Sequence, residues 1–342
     1  MKVVFYIGWL ARGGAERVIS TLANMLNKLG YSCIVVTSYK AENEYLLDDG
    51  VKRIVLVDGN KRCFLKDNVK QVFYLRRILK KETPNTIVSF MGEPNFRMLI
   101  ASMGLPCRKI ISVRNDPSKE YSSKLYRFLA RFLFPMADHI VFQTEDAQKW
   151  FPRNIQEKSS IIFNPIDDSF FSLVYNGERK NIVTVGRLTF QKNHSLLIKA
   201  FSKIANDIDD NLIIFGEGPL RNDLEKLTYD LNLQHRVFFA GLVSNVAEKI
   251  RTAKLFVLSS NYEGLPNALM EAMVMNIPCI STNCPCGGPK MLLEKSRLCN
   301  VGDVDEMAKL IKENCSLMSR VEYQITREMT CSSVLKKWID II

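Results

Sequence analysis

The sequence predicts an α/β protein made of two Rossmann-like domains, each built on a parallel sheet. The chain has 342 residues, which exceeds one ordinary domain and lets each of two domains bury its own core. Short, apolar, β-branched runs alternate with amphipathic stretches, the pattern of parallel βαβ units. This pattern restarts after a polar, turn-rich stretch at residues 165–180, which is the predicted linker.

The predicted strands share a length of three to five residues and are separated by helical patterns such as Ala15–Leu29 and Val69–Lys81. Open α/β sheets bind ligands at the carboxyl ends of their strands, so two such domains predict a cleft between them. The predicted strands are Val3–Ile7, Cys33–Thr37, Ile54–Val57, Thr86–Phe90, Ile110–Val113, Ile140–Gln143 and Ser160–Phe163, then Ile182–Val185, Leu212–Phe215, Val237–Ala240, Leu255–Leu258 and Cys279–Ser281.

Composition excludes several classes of protein. A hydrophobic content of 47% indicates a globular chain rather than a disordered one. The apolar run at the N-terminus is too short for a signal peptide, and no segment reaches the ~18–20 apolar residues of a membrane-spanning helix.

Nine cysteines without paired spacing indicate reduced thiols and a cytoplasmic protein. Cys284 and Cys286 have no second ligand pair nearby, so a structural loop is favoured over a metal site.

The net charge of +11 comes from one part of the chain. Between Lys61 and Arg131 there are 16 lysines and arginines against 5 acidic residues. Such a field attracts anionic lipid, a phosphorylated acceptor or nucleic acid. Segments Lys61–Lys81 and Lys124–Phe134 have the pattern of basic amphipathic helices that lie on a lipid surface, although packing helices with a solvated basic face share it. No RNA-binding or helix-turn-helix motif is present, so nucleic acid is not expected.

Three glycine-rich or basic loops follow predicted strands. Gly13 and Gly14 open a helix after the first strand, where backbone amides can hold phosphate, although a plain turn also accounts for them. Arg187 and Lys192 follow the first strand of the second half and can bind a diphosphate and stabilise its developing charge. A solvated basic loop is the alternative. Gly216 permits close backbone approach or forms a structural turn.

The most specific segment is Asn261–Glu271, in a strand–loop–helix context. Glu263 lies on the loop, and a helix that begins near Pro266 places Glu271 about one and a half turns into it. The amides at the helix start can face a phosphate or sugar, and carboxylates can bind sugar or ribose hydroxyls. The Gly- and Pro-rich loop Pro285–Lys290 is expected to shape the rim of the same pocket or to form a turn.

Taken in order, the segments GGAER, VGRLTFQKN, IFGEGPL, FFAGLVSNV and SSNYEGLPNALMEAM resemble the retaining glycosyltransferase family 4 over nearly the whole chain. The resemblance implies the GT-B fold, with two parallel sheets facing an interdomain cleft. It also implies retention of configuration, no metal or cofactor, and UDP-sugars as the commonest donors. Residues 1–165 would bind the acceptor, 178–325 the donor, and a helix at about 332–342 would return to the first domain.

The resemblance also assigns roles by position. Arg187 and Lys192 match the diphosphate-binding pair, and Glu263 matches the glutamate that faces the donor sugar, so these three are the catalytic candidates. Glu271 matches the glutamate that binds the ribose. The remaining donor-binding candidates are Gly13, Gly14, Gly216, Leu242, Gly264, Leu265, Pro266 and Asn267.

One departure from the family concerns the first domain. Many relatives have a histidine at the end of the strand that leads to Arg114, and this chain has none there. The absence favours a front-face mechanism, in which the leaving phosphate accepts the acceptor's proton. Arg114 and Asn115 are the candidates to hold the acceptor or a phosphate.

The expected function is transfer of a hexose or N-acetylhexosamine from a UDP-sugar to a glycan or a polyprenyl-diphosphate-linked acceptor. Capsule, O-antigen or other surface-polysaccharide synthesis at the inner face of the cell membrane is the setting that the resemblance implies. A sugar-nucleotide epimerase on the same fold and an inactive, donor-binding partner subunit remain alternatives. A phosphorylase is disfavoured because no pyridoxal-phosphate lysine site is evident.

Overall fold

A computed structural model describes residues 1–11, 13–57, 64–316 and 321–342. The chain divides into two compact units. Unit 1 comprises residues 1–165 together with 332–342, and unit 2 comprises residues 166–331. No helix among the described residues is long and apolar enough to cross a membrane.

Unit 1 contains a seven-stranded, entirely parallel sheet in the order β3-β2-β1-β4-β5-β6-β7. The strands are β1 (Lys2–Ile7), β2 (Ser32–Thr37), β3 (Lys52–Val55), β4 (Thr86–Phe90), β5 (Arg108–Ser112), β6 (His139–Phe142) and β7 (Ser159–Ile161). The helices are α1 (Gly14–Lys28), α2 (Phe64–Glu82), α3 (Gly92–Ala101), α4 (Pro117–Glu120), α5 (Lys124–Leu133), α6 (Glu145–Lys149) and α7 (Arg153–Gln156).

Unit 2 contains a six-stranded parallel sheet in the order β10-β9-β8-β11-β12-β13. Its strands are β8 (Lys180–Val185), β9 (Leu212–Phe215), β10 (Val237–Gly241), β11 (Ala253–Leu258), β12 (Cys279–Thr282) and β13 (Leu298–Cys299). Its helices are α8 (Asp168–Phe171), α9 (His194–Ser202), α10 (Arg221–Asp230), α11 (Val246–Ile250), α12 (Asn267–Val274), α13 (Gly288–Leu292) and α14 (Val304–Ser316).

The strands are mostly apolar along their length because helices cover both faces of each sheet. All residues of β4 are buried, as expected for a central parallel strand that helices cover on both sides. Helix α1 buries Val18, Ile19, Leu22 and Leu26, whose spacing of three and four residues forms one apolar stripe.

The predicted strands differ from the observed ones mainly at their ends. The predicted strand Ile54–Val57 is observed as β3, two residues earlier, although the Leu56 amide still donates to the Thr37 carbonyl at 2.8 Å. The two-residue strand β13 was not predicted because so short a run has no measurable periodicity. The polar stretch predicted as a linker contains the short helix α8, which belongs to unit 2.

The last helix, α15 (Cys331–Ile339), carries the C-terminus into unit 1. Trp338 is fully buried and stacks on Phe90, with ring centroids 5.7 Å apart. The Thr86 hydroxyl donates to the carbonyl of Ile342 at 2.7 Å. Residues distant in sequence therefore complete the core beneath the end of β4.

Candidate active site

The loops that follow β8 and β9 in unit 2 pack backbone against backbone. Gly216 has φ of +139°, and a Cβ there would lie 2.0 Å from the carbonyl oxygen of Gly186. The Gly186 amide donates to Phe215 and the Gly216 amide donates to Gly241, at 2.9 and 2.8 Å. Gly216 therefore meets a steric requirement of the structure, and its predicted contact with a donor stays a prediction.

The two charged candidates Lys192 and Glu263 meet at the carboxyl ends of β8 and β11. Lys192 Nζ lies 2.5 Å from Glu263 Oε1, and the two side chains are 19% and 8% exposed. The Ser260 hydroxyl donates to the same carboxylate oxygen at 2.6 Å. A largely desolvated ion pair with a further hydrogen bond thus joins residues 71 positions apart.

A network of amide groups holds the same two loops together. The Asn193 side-chain amide donates to Asn261 Oδ1 at 2.8 Å, and the Asn261 side chain donates to the Phe190 carbonyl at 2.7 Å. The Gln191 side chain donates to the Tyr262 carbonyl at 3.1 Å. These bonds fix the backbone on which Lys192 and Glu263 stand.

Arg187 differs from Lys192 in its surroundings. It is exposed, and within the described part of the chain its guanidinium makes no hydrogen bond or ion pair. Its five donors are therefore available to an anionic ligand. His194, close to Lys192 in sequence, is buried. Its pKa is lowered to about 4, mainly by burial and to a smaller extent by the positive charge of Lys192. That imidazole is neutral at pH 7 and adds no positive charge.

The segment before α12 combines helix-start amides with a buried carboxylate. Pro266 precedes the helix and no side chain caps it, so the amides of its first turn have no side-chain acceptor at the cap. Glu271 lies on this helix and is buried. Gly264 is held close to α13, because a Cβ on Gly288 would lie 1.9 Å from the Gly264 carbonyl oxygen.

The other donor-binding candidates of this unit occupy two kinds of position. Leu265 and Pro266 are buried in the loop before α12, and Asn267 begins that helix. Leu242 directly follows β10 and is 82% exposed. The roles of all these residues stay predictions.

In unit 1, Gly13 and Gly14 form the start of α1, as the sequence predicted for a strand-to-helix turn. Gly13 is the N-cap, and no side chain caps the helix. A Cβ on Gly13 would lie 2.3 Å from Glu16 Oε2, so a carboxylate is folded back against this helix start. A phosphate placed there would meet that negative charge.

Arg114, which follows β5, is enclosed by other side chains of unit 1. Its guanidinium carbon lies 3.9 Å from the centre of the Phe90 ring, and its Nη1 donates to Asn164 Oδ1 at 2.7 Å. The residue is buried, and burial lowers its pKa to about 9. This side chain therefore packs inside unit 1, and its predicted contact with an acceptor or phosphate stays a prediction. Asn115 accepts a hydrogen bond from the Asp116 amide at 2.9 Å and forms a local turn.

Sequence reasoning missed a cavity of about 460 Å³ in unit 1. Its lining includes Glu16, Glu93 and Glu120, and it contains neither Arg114 nor Asn115. Each of the three glutamates follows a strand of the same sheet, β1, β4 and β5 respectively, and this recurrence was the signal available in the sequence.

The described cysteines are all free thiols. Cys284 and Cys286 are both buried in the loop after β12. Among residues 1–11, 13–57, 64–316 and 321–342, no group of three or more His, Cys, Asp or Glu side chains is placed to hold a metal ion. The expectation of a metal-independent enzyme stays a prediction.

Two family models match consecutive parts of the chain. The model for glycosyltransferase family 4 matches residues 12–170, and the model for glycosyl transferases group 1 matches residues 165–322. The chain belongs to the family 4 glycosyltransferases. The predicted family and enzyme class are thereby confirmed, and the two matches meet near the border between unit 1 and unit 2.

Named relatives include two bacterial enzymes. One is the GalNAc-α-(1→4)-GalNAc-α-(1→3)-diNAcBac-PP-undecaprenol α-1,4-N-acetyl-D-galactosaminyltransferase of Campylobacter jejuni, 29% identical over 90% of this chain and 86% of its own length. The other is the UDP-Gal:α-D-GlcNAc-diphosphoundecaprenol α-1,3-galactosyltransferase of Escherichia coli, 28% identical over 69% of this chain and 67% of its own length.

A solved structure of Anabaena HepE in complex with UDP and glucose matches with a TM-score of 0.81 and 17% identity, over 99% of this chain and 98% of that one. At this identity the likeness concerns the fold. The predicted α/β GT-B fold of the glycosyltransferase, with two parallel-sheet domains, is confirmed.

Proposed function

We propose that the glycosyltransferase moves a hexose or N-acetylhexosamine from a UDP-sugar, with retention of configuration, to a glycan or polyprenyl-diphosphate-linked acceptor of a surface polysaccharide. The observation that carries the proposal is the cationic strand-end site of unit 2. Arg187 is exposed and free of partners among the described residues, and Lys192 is fixed by its ion pair with Glu263. The names of the two relatives specify acceptors that are linked to undecaprenol diphosphate. They support the proposed class of acceptor.

The chemistry requires stabilisation of a leaving diphosphate. The bond between the anomeric carbon and the β-phosphate oxygen breaks, and a bond to the acceptor oxygen forms. The acceptor's proton passes to the departing phosphate oxygen, so the protein need not supply a base. Arg187 binds that phosphate bidentately, and Lys192 adds a point charge. Both act where negative charge develops.

Nucleotide-dependent thermal unfolding tests the donor assignment. We expect UDP to raise the melting temperature, because a ligand that binds only the folded state stabilises it. ADP and GDP serve as matched controls. Stabilisation by one of these with none by UDP would overturn the UDP-sugar donor.

A screen of UDP-hexoses and UDP-N-acetylhexosamines with polyprenyl-diphosphate-linked acceptors then tests the reaction. Appearance of a glycosylated acceptor separates a transferase from an epimerase, which would convert the donor without an acceptor. It also separates an active enzyme from an inactive partner subunit. The anomeric configuration of the product, read by NMR against that of the donor, decides between retention and inversion.

The exposed face of α5 supports a location at the inner surface of the cell membrane. Leu125, Phe128 and Phe132 are 61–65% exposed and recur at spacings of three and four residues, so they share one face. The helix carries Lys124, Arg127 and Arg131, all exposed, and no acidic residue. An apolar stripe flanked by cations complements an anionic lipid surface. The other predicted segment, Lys61–Lys81, lies partly outside the described residues.

Flotation with liposomes tests this contact. We expect recovery with phosphatidylglycerol-containing vesicles to exceed recovery with neutral vesicles roughly tenfold or more, since each basic residue near the surface contributes about 1 kcal/mol. Phe128→Ser with Phe132→Ser should abolish most of the difference. Tyr229→Ser, which removes an exposed aromatic ring from α10 of unit 2, is the matched control. Equal recovery of the unmodified enzyme on both vesicles would disprove the proposal.

A further inference from the structure

The cavity in unit 1 lies where β1 and β4 end and where α1 and α3 begin. Ile7, Gly8 and Trp9 line it from the end of β1, and Met91 and Gly92 line it from the end of β4. Its volume of about 460 Å³ lies in the range of small-molecule sites. Every lining residue that the structure describes belongs to unit 1.

The charge of the lining is predominantly acidic. Among the described residues, four carboxyl groups and one cation line the cavity, namely Glu16, Asp67, Glu93, Glu120 and Arg97. Arg97 Nη2 lies 2.5 Å from Glu93 Oε2, so the single cation is already paired with a carboxylate. Phosphates and carboxylates entering this space would meet like charge, and the described lining residues offer no further cation, which disfavours an anionic ligand.

The carboxyl groups are held in place as hydrogen-bond acceptors. Glu93 Oε1 accepts from the Tyr126 hydroxyl at 2.5 Å, and Glu120 Oε1 accepts from the Gly92 amide at 2.6 Å. Glu120 Oε2 is buried and makes no well-formed hydrogen bond among the described residues, although the Tyr121 hydroxyl lies close enough to lower the pKa of this carboxyl group. A buried polar atom without a well-formed hydrogen bond is unfavourable, and a ligand hydroxyl would relieve it.

Burial raises the pKa of Glu120 to about 7, against the lowering effect of the Gly92 amide. This carboxyl group can therefore donate or accept a hydrogen bond near neutral pH, as a hydroxyl partner requires.

Aromatic rings complete the lining. Trp9 and Tyr39 have ring centroids 6.5 Å apart, and Trp9 is 40% exposed. The Tyr39 hydroxyl accepts from Gln71 Nε2 at 2.8 Å, which fixes the ring at the wall. Rings beside convergent carboxyl groups match a ligand that has apolar C–H surfaces and many hydroxyls.

We propose that this cavity binds an uncharged pyranose, the non-reducing terminal sugar of the acceptor, and excludes acidic and phosphorylated sugars. The carboxyl groups of Glu93 and Glu120 bond its hydroxyls, and Trp9 covers a C–H face. The role as acceptor rests on the proposed glycosyltransferase function, whereas sugar binding by the cavity does not. The acceptor-binding roles of Arg114 and Asn115 stay separate predictions.

Ligand-observed saturation-transfer NMR and titration calorimetry test this selectivity on the full chain without nucleotide. Methyl hexopyranosides and methyl N-acetylhexosaminides are the neutral probes, and methyl glucuronide and hexose 6-phosphate are the charged ones. We expect the best neutral probe to bind at least roughly tenfold more tightly than either charged probe, because each charged group adds repulsion in a poorly solvated space. A charged probe that binds as tightly as the neutral ones would overturn the proposal.

Two substitutions locate the binding. Trp9→Ala removes a partly exposed ring, and Glu120→Gln keeps the shape of the side chain; each should weaken neutral-sugar binding roughly tenfold, about the worth of one good contact. Glu157→Gln, an exposed glutamate of unit 1 outside the cavity, should leave it unchanged. If both cavity variants bound neutral sugars with the affinity of the wild type, the sugar would not bind in this cavity and the proposal would be overturned.

The effect of UDP on melting temperature separates this proposal from the donor assignment. Cavity variants that lose sugar binding but keep UDP stabilisation support two independent sites. Sugar binding without any UDP effect would overturn the donor assignment and leave the cavity proposal standing. UDP stabilisation with no binding of any sugar probe would overturn the cavity proposal and leave the donor assignment standing.

Discussion

The candidate site of unit 2 and the cavity of unit 1 both lie at the carboxyl ends of parallel strands, yet they differ in charge and in free space. In unit 2, a Cβ on Gly216 would collide with a carbonyl oxygen at 2.0 Å, and the exposed cation is Arg187. In unit 1, Gly8 follows β1 with no atom within 4 Å of a Cβ position, and the lining is acidic.

The difference shows that a doubly wound sheet fixes where a ligand can bind, while the loop residues decide which ligand binds. Cations and helix-start amides suit a nucleoside diphosphate. Carboxyl groups and aromatic rings suit a neutral sugar. The two units thus divide the recognition of a charged donor and an uncharged acceptor terminus between them in the proposed reaction.

Removal of Arg187 should give the largest effect. Arg187→Ala is expected to lower kcat/KM about 10²–10³-fold, as for the loss of one group that stabilises charge in the transition state. It should also remove most of the UDP-dependent rise in melting temperature, while neutral-sugar binding in unit 1 stays unchanged.

Arg153→Ala, at a side chain of unit 1 that is 91% exposed, is the matched control for kinetics and melting. Unchanged kcat/KM in Arg187→Ala would contradict the division of roles between the two units. Loss of sugar binding in unit 1 on the same substitution would contradict their independence.

The difference in free space predicts unequal responses to an added methyl group. Gly216→Ala should lower the free energy of unfolding by roughly 2–3 kcal/mol, because the new Cβ collides with the Gly186 carbonyl and φ of +139° is unfavourable for alanine. Gly8→Ala should change it by less than about 0.5 kcal/mol, since no atom lies within 4 Å. Urea unfolding measures the free energy of unfolding of both variants. Equal losses of stability in the two variants would show that the two strand ends are packed alike.

The raised pKa of Glu120 predicts that the stability of the folded protein depends on pH. This is the smallest of the three effects predicted for Arg187, Gly216 and Glu120. Burial raises the pKa of Glu120 from 4.5 to about 7, so the folded protein binds more protons than the unfolded chain between these pH values. The free energy of unfolding should therefore fall as pH rises from about 4.5 to 7 and then level off. The contribution is roughly 1–2 kcal/mol, less than 1.36 kcal/mol per pKa unit would give, because the residue as a whole is only half-buried although its Oε2 atom is buried.

Glu120→Gln should flatten this part of the pH profile, and Glu157→Gln should leave it as in the wild type. The comparison between variants isolates Glu120 from the other charged groups around the cavity, Glu16, Asp67, Glu93 and Arg97. Identical slopes in wild type and Glu120→Gln would show that Glu120 ionises normally in the folded state.

Periodicity and turn chemistry were sufficient to predict every strand of the two sheets except β13. Strands β4 and β9 begin and end at the predicted residues because their apolar runs are bounded by polar or turn-forming neighbours. The glycine and glutamate motifs predicted the strand-end loops of unit 2 because each motif is local and follows its own strand. The roles of their residues rest on the family resemblance and stay predictions.

Other features required the tertiary structure because they join residues that local patterns cannot relate. The pair Lys192 and Glu263 spans 71 positions. Helix α5 has apolar residues on two faces, and only packing decides that Leu133 is buried while Phe128 is exposed. The contact of Arg114 with the rings of Phe90 and Trp338 likewise joins separate segments of the chain.

The sequence by itself determined the fold class, the family and the loops of unit 2, since these depend on short-range patterns and ordered motifs. Only the tertiary structure decided which side chains meet in unit 1. Strand order β2-β1-β4-β5 brings the ends of four separate segments together, so residues from Trp9 to Tyr126 line one cavity. The sign of its charge follows from that convergence, because three of its four acidic residues, Asp67, Glu93 and Glu120, are scattered through residues 61–131, whose net charge is strongly positive.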